Sequence, residues 1–392
     1  MTGPGKNAPA ASPADLSDAR RRIDAIDREI VELFERRMHI VEDVAAYKQV
    51  TGKAVYDRER EAEKIAAALE YAEDEFKQFI PPLFGLIMEM SRACQHRLLQ
   101  DGPAAPLPEA VPEAPAALPD AARVACQGVQ GAYSHIAAKA LFSQADVVFC
   151  DTWASVCDRV EDGSAAFGVL PLENSTAGTV ARVYGLLSER GLFIAASLTL
   201  RIEHDLLAKP GCRLEDVREV VSHEQALRQC EGFIASLAGA RATACENTAM
   251  AARTVAESPR TDLAAVASSE CARLWGLVPL ARSVQDESDN YTRFVCVSRA
   301  LRRAPDADRS SFLLVLPHEP GSLYRVLARI AALGVNLLKL ESRPIPGRCF
   351  DFMFYVDIAC VPGTAPFDDI VAQVSLLCER FCYLGSYREY SR

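Results

Sequence analysis

The stretch LFERRMHIV, residues 33–41, sits inside a long amphipathic pattern. Numbering its apolar positions by heptads puts Leu16, Ile23, Ile30 and Val44 at one repeating position, and Ala19, Ile26, Leu33, Ile40 and Tyr47 at the other. Arg37 fills the slot where the first series requires an apolar side chain. The pattern predicts one helix over residues 13–50, opened by Ser12-Pro13-Ala14-Asp15 as a capping box and closed by Gly52. Such a helix is roughly 55 Å long at 1.5 Å per residue. A globule of about 90 residues is only near 25 Å across. The segment therefore cannot bury its own seam, and a partner chain is the simplest cover.

Arg37 and Lys48 lie 11 residues apart, close to three full turns, so they share a face and can converge on something between them. Arg20 precedes Arg37 by 17 residues, roughly 25 Å along the axis, and reaches the same small ligand only in a neighbouring subunit's pocket. A guanidinium in a buried seam without a counter-anion is very costly. Two readings follow: Arg37 binds an anion, or it pairs with one of the chain's own glutamates as a register device.

Composition bounds the rest. The 392 residues suffice for two or three domains, and 49% apolar with 24% charged is ordinary for a globular protein. There is no apolar run of membrane-spanning length and no apolar signal core at the N-terminus, so a cytoplasmic protein is expected. The 13 cysteines are scattered without a C-x-x-C pair and read as reduced thiols. The six histidines show no metal-ligand spacing, so no metal or cofactor is expected, and a net charge of −10 argues against a nucleic-acid partner. Residues 1–12 read as a disordered tail, 13–100 as helix only, and the Pro/Ala-rich run 101–121 as a linker. Alternating strand and helix patterns over 122–303 predict a two-lobed α/β unit, with strands at 123–127, 146–150, 166–172, 192–200, 219–222, 262–268 and 293–298. Residues 310–392 read as βαββαβ.

In YDRERE, Asp57, Arg60 and Glu61 share one face of a second helix; in LFGLIMEMSRACQH, Ser91 and Gln95 are i, i+4 on a third. Taken singly, Asp57 reads as an N-cap, Glu61 as a first-turn acid and the Ser91/Gln95 pair as a solvated stripe. With Arg20, Arg37 and Lys48 they make eight matches over three helices, and the segment resembles the all-helical chorismate mutase family. The resemblance implies an intertwined dimer, or a higher homo-oligomer, with Arg20 serving the other subunit. It implies that Arg20, Arg37, Arg60 and Ser91 hold the carboxylates of chorismate, that Lys48 and Gln95 donate to the ether oxygen, and that Glu61 and Asp57 accept from the ring hydroxyl. A unimolecular rearrangement to prephenate needs a compact conformer and charge stabilisation, with no nucleophile, base or metal.

In the middle segment, polar groups cluster at strand ends: Tyr133, Ser134 and His135; Glu173, Asn174, Ser175 and Thr176; Ser222, His223 and Gln225; Ser268, Ser269 and Glu270. Ligands of α/β sheets bind at such ends, although each Ser or Asn alone reads as a helix cap. GVQGAYS is no Walker loop and no G-x-G-x-x-G. Thr292 and Arg293 stand directly before a buried strand. With LPLENSTAG, SHEQALRQC and DNYTRFVCVS, the segment resembles the prephenate dehydratase family, a two-lobed periplasmic-binding-protein-like fold. That implies loss of water and carbon dioxide from prephenate to give phenylpyruvate. It implies Thr292 as proton donor or hydroxyl anchor, with Glu173, Asn174, Ser175, Ser222 and Gln225 at the substrate, and Arg293 as a carboxylate or structural partner.

The last segment resembles an ACT regulatory domain through Gly321-Ser322-Leu323-Tyr324, a partial motif, and the intact Glu341-Ser342-Arg343-Pro344. The resemblance implies L-phenylalanine as effector, with Tyr324 altering affinity or ligand choice. The expectation is a multidomain, bifunctional enzyme of phenylalanine synthesis. Arogenate as the dehydratase substrate and a non-catalytic amino-acid sensor are the rivals. Fusion to a dehydrogenase would need a nicotinamide loop, which the sequence lacks.

Overall fold

A computed structural model of the chain describes residues 13–53, 55–99, 117–237, 239–345 and 351–392. The expected tail with its Ser12 cap, and the linker up to residue 116, lie outside them. The chain divides into two units, Met1–Ala104 and Ala105–Arg392. No helix among the described residues is long and apolar enough to cross a membrane.

In the first unit α1 (Pro13–Thr51) runs 39 residues, about 58 Å. It stops at Gly52, whose φ of 68° suits glycine and whose N–H closes on the Lys48 carbonyl at 2.9 Å. Asp57 caps α2 (Arg58–Tyr71). A 3-10 turn, Lys77–Phe79, leads into α3 (Ile80–Leu99), whose prolines sit in the first turn, where their missing N–H groups cost little. α3 packs on both other helices, with Val41, Ala45, Ala68 and Met88 buried. The seam of α1 is different: Leu16, Ile23, Ile26, Ile30, Leu33, Ile40 and Tyr47 are each 53–63% exposed in the single chain. Leaving that much apolar surface in water on one side of one helix is unfavourable.

The second unit is built on three sheets. The first comprises β1 (Ala121–Gln127), β2 (Gln144–Cys150), β3 (Phe167–Asn174), β4 (Gly178–Thr179), β5 (Phe193–Arg201), β11 (Tyr291–Ser298) and β16 (Glu389–Ser391). β1, β2 and β3 are parallel; β11 runs antiparallel between β3 and β5. The second sheet comprises β6 (Asp205–Ala208), β7 (Glu219–His223), β8 (Arg241–Cys245), β9 (Leu263–Ala267) and β10 (Val278–Ala281). The chain crosses between these lobes after β5 and again before β11. The helices of the first lobe are α4 (Tyr133–Leu141), α5 (Trp153–Glu161) and α6 (Ala181–Arg190). Those of the second are α7 (Glu224–Gln229), α8 (Glu231–Ser236), α9 (Thr248–Glu257) and α10 (Ser269–Trp275).

The third sheet is antiparallel, in the order β13 (Leu337–Pro344), β14 (Phe352–Ile358), β12 (Arg309–Val315), β15 (Arg380–Tyr387), with α11 (Ser322–Ala332) and α12 (Ala365–Ser375). This is the βαββαβ order the sequence predicts. Its two faces have different partners. Phe312, Leu314, Val356 and Tyr383 pack with Val326 of α11 and Phe367 of α12, whereas Leu313, Val315, Tyr355 and Leu384 pack with Leu186 and Ile194 of the first lobe. Burial on both sides explains the unbroken apolar run of β12. Gly385 sits at φ 134° against β5, where a Cβ would collide with the Ile194 carbonyl oxygen. The chain end then adds β16 to the first sheet, parallel to β5. The sequence pattern shows neither that strand nor β4, β6, β8 and β10, all of five residues or fewer.

Candidate active sites

In the helical unit, Arg37 donates from Nη1 to the Ser91 hydroxyl, which in turn donates to the Ile87 carbonyl at 2.8 Å. Lys48 donates to the Val55 carbonyl at 2.7 Å. Burial pulls both pKa values below their ordinary range, opposed by the field of Glu61 on Arg37 and of Asp57 and Glu61 on Lys48. Neither cation makes an ion pair among the described residues; Glu61 pairs instead with Arg92, whose guanidinium lies 5.2 Å from the Tyr56 ring centroid. Gln95 is buried, its amide nitrogen 3.4 Å from the Ser91 carbonyl and its Oε1 without a partner among the described residues. Asp57 accepts from the Arg60 N–H at 3.0 Å, as an N-cap does. Arg60 reaches Glu63 at 2.8 Å on the exposed face of α2, and Arg20 is exposed with no partner among the described residues. The structure thus gathers Arg37, Lys48, Glu61, Ser91 and Gln95, and leaves Arg20 and Arg60 outside that group. Arg92 is a member the sequence reading missed.

In the second unit a cavity of about 250 Å³ opens between the two lobes, lined by Tyr133 and Ser134, Asn174, Thr292, His204, His223, Gln225, Gln229, Glu246, Asn247 and Thr248. Thr292 Oγ1 accepts from Asn174 Nδ2 at 2.9 Å. Asn174 also donates to Asn290 Oδ1 at 2.8 Å, while its Oδ1 accepts from the Thr176 and Ala177 N–H groups at 3.1 and 2.8 Å. With Asn174 so fixed, the Thr292 hydroxyl receives one hydrogen bond and keeps its own proton for the cavity. Among the described residues no lysine or arginine lines this cavity. Positive potential comes instead from helix ends: α4 begins at Tyr133 without a side-chain cap, and α9 begins at Thr248 behind the Asn247 cap. One N-terminus belongs to each lobe, which suits a molecule with two anionic groups.

Four expected residues point elsewhere. Arg293 is 7% exposed on the opposite face of β11 from Thr292; it donates to Ser197 Oγ at 3.0 Å, Asp357 at 2.7 Å and Tyr387 Oη at 2.9 Å. Burial disfavours its charge, but Tyr387, Asp357 and Glu389 outweigh this and raise its pKa. Glu173 pairs with Lys339 of β13. Ser175 donates to the Asp289 carbonyl at 2.6 Å and accepts from the Tyr291 N–H at 2.9 Å, pinning the loop after β3 to β11. Ser222 is fully buried and donates to the Val266 carbonyl at 2.6 Å, tying β7 to β9. For Glu173 and Arg293 the reason is the pleat, which turns successive side chains to opposite faces. Gln225 lines the cavity, with Nε2 3.5 Å from Asn174 Oδ1.

Comparison with known proteins assigns both segments to families. Residues 19–96 match the family described as chorismate mutase type II, and 124–301 match prephenate dehydratase. An arogenate dehydratase/prephenate dehydratase of Arabidopsis thaliana is 39% identical over 282 residues, covering 68% of this chain and 72% of the relative. The bifunctional chorismate mutase/prephenate dehydratase of Escherichia coli K12 is 29% identical over 376 residues, covering 94% and 95%. The structure of a prephenate dehydratase from Arthrobacter aurescens in complex with L-Phe superimposes with a TM-score of 0.62 at 28% identity, covering 68% and 89%.

The chain belongs to the chorismate mutase/prephenate dehydratase family. It is an isomerase and a lyase in one polypeptide, serving phenylalanine synthesis.

For a dehydratase cleft, the residue the sequence reading passed over is His204, at the crossover between lobes. It is 2% exposed, with Nδ1 3.2 Å from Tyr133 Oη and Nε2 3.2 Å from Gln229 Oε1. Burial lowers its pKa against the Gln229 hydrogen bond. No sequence motif singles it out; its place at the end of β5 is the only signal. His135 and His223 serve locally, accepting from the Gly131 N–H at 3.1 Å and the Gln225 N–H at 3.2 Å. Of the expected effector residues, Ser322 and Leu323 line a second cavity of about 390 Å³ beside Gly321, the N-cap of α11. Glu341 and Arg343 pair at 2.8 Å on β13, and neither they nor Ser342 and Pro344 line that cavity.

Proposed function

We propose that residues 13–100 convert chorismate to prephenate, that the cleft of residues 122–303 converts prephenate to phenylpyruvate, and that residues 310–392 form an ACT domain that reads L-phenylalanine. The observation that carries the first step is the cation pair of Arg37 and Lys48, half-buried and without an ion-paired carboxylate among the described residues. Cations so placed are stabilised by a dianion. Arg37, with Ser91, takes a carboxylate; Lys48 and Gln95 donate to the ether oxygen as negative charge develops there. The exposed seam of α1 supports an intertwined dimer, in which the partner's Arg20 completes each site.

In the cleft, the N-termini of α4 and α9 hold the two carboxylates of prephenate. The ring carboxylate leaves as carbon dioxide, its bonding pair completes the aromatic ring, and the hydroxyl departs as water. Thr292, oriented by Asn174, hands over the proton that this departure takes up. The edge strand β13, with Leu338 40% and Leu340 36% exposed, supports a second copy docking there and bringing its Ser322–Leu323 cavity to Glu341–Pro344. One observation favours arogenate as a second substrate: Glu246, the one carboxylate among the cavity-lining residues, suits an ammonium.

A coupled assay tests the reading. Chorismate should yield phenylpyruvate, and added phenylalanine should lower the rate; prephenate and arogenate supplied directly should rank the two substrates. Prephenate accumulating without phenylpyruvate would overturn the cleft assignment, and unchanged chorismate would overturn the helical one.

A further inference from the structure

The hydrogen-bonded pair that faces the cleft, Thr292 with Asn174, is one rung of the β3–β11 ladder; the next rung is Arg293 with Glu173. The second rung faces the third sheet, where Lys339 of β13 and Asp357 of β14 are themselves cross-strand partners. The two rungs meet through opposite charges: Arg293 Nη1 lies 2.7 Å from Asp357 Oδ2, and Lys339 Nζ pairs with Glu173 Oε2. Charge alternates around this square, so each group has an unlike neighbour both across the ladder and across the junction. Arg293, Asp357 and Lys339 are 7%, 8% and 15% exposed, so solvent screens these three corners only weakly, while Glu173, at 34%, is the exposed corner of the square. Ser311 Oγ donates to Asp357 at 2.5 Å, fixing the carboxylate from its own side.

We propose that Lys339 and Asp357, on the third sheet, are positioning residues for the dehydration step, setting the rung next to Thr292 and Asn174. Neither reaches the cleft. They act through Glu173 and Arg293, whose backbones are continuous with those of the two cleft residues. A strand transmits a shift of one rung to the next because the peptide planes are rigid and the ladder hydrogen bonds fix spacing. The dehydratase therefore does not end at residue 303; its catalytic geometry is completed by a strand 36 residues further along the chain.

This inference rests on Thr292 acting in the cleft, and the test separates the two. In the full-length protein, Lys339→Met and Lys339→Gln should each lower the kcat for prephenate about tenfold, within the range that small misplacements cost. KM for prephenate should stay within about twofold, because the groups that bind substrate are untouched. Chorismate turnover should be unchanged, and Lys339→Arg should recover most of the rate. Thr292→Ala is run alongside. If Thr292→Ala is inactive while both Lys339 variants keep the wild-type kcat, this inference fails and the cleft assignment stands. If Thr292→Ala keeps its rate, the cleft assignment itself fails. A Lys339 loss that appears equally in KM, or that Lys339→Arg does not repair, also overturns positioning.

Discussion

Replacing Arg293 by Met separates a substrate ligand from a structural anchor. The side chain lies 7% exposed and makes three hydrogen bonds, to Ser197, Asp357 and Tyr387 at 2.7–3.0 Å. Met fills much of the volume but abandons Asp357, itself 8% exposed, which then keeps the Ser311 hydroxyl and its neighbour Lys339. Removing one partner of a buried ion pair costs about 3–5 kcal/mol. At roughly 2–4 °C per kcal/mol for a domain of this size, the melting temperature should fall on the order of 10 °C. Both tryptophans, Trp153 and Trp275, belong to the second unit, so a fluorescence melt reports that unit without the helical one. Adding Asp357→Leu should win back stability, because the abandoned acid is then gone as well. A substrate ligand behaves in the opposite way. An unchanged melt with KM for prephenate raised about tenfold, the worth of 1.4 kcal/mol of binding, would refute the anchor.

Gln95→Glu should give a mutase whose kcat/KM rises as pH falls, since only the protonated acid donates and burial raises its pKa; a flat profile between pH 5 and 8 would count against Gln95 as a donor to the ether oxygen. Arg20→Ala and Arg37→Ala chains, each inactive alone, should regain about a quarter of wild-type mutase activity when refolded together, because a two-fold dimer assembles one intact site in each hybrid; no recovery would place Arg20 in its own chain's site. His204 has a folded pKa below its ordinary value of 6.5, so its neutral form is the native one. The stability it contributes is present above about pH 6.5 and is lost as pH falls below it, while the unfolded chain takes up a proton that the folded chain resists. Fluorescence melts from pH 7.5 to 5.5 should therefore decline more in the wild type than in His204→Gln, and parallel declines would show that other groups set the acid limit.

The helical unit was the most legible part of the sequence because a 39-residue helix must declare its faces. Arg37 broke an apolar series, which left an anion and one of the chain's own glutamates as its two possible partners; among the described residues it meets the Ser91 hydroxyl and makes no ion pair. Arg92 gave no such signal: beside Glu61 in space but 31 residues away, it looks like any other cation on α3. In the second unit the longer strands were visible, whereas β16 was not. Its three residues have no strand pattern and pair only because the third sheet delivers the chain end beside β5.

Thr292 and Arg293 show where sequence reasoning stops and why. The pleat says that the two must point to opposite faces. It does not say which face meets the substrate, because every residue of β11 after Tyr291 is buried. On a strand with one wet face, polarity would have chosen. Here both faces are covered, one by the cleft and one by the third sheet, so Thr and Arg are equally anomalous in the sequence. The charge of Arg293 made it the natural candidate for a carboxylate, yet the carboxylate it meets is Asp357. The cleft instead presents helix N-termini and neutral amides. The proposed anion of the cleft, held by backbone dipoles, would leave no cationic residue type for a sequence reading to find, whereas the helical unit displays its candidate cations, Arg37 and Lys48, in the sequence itself.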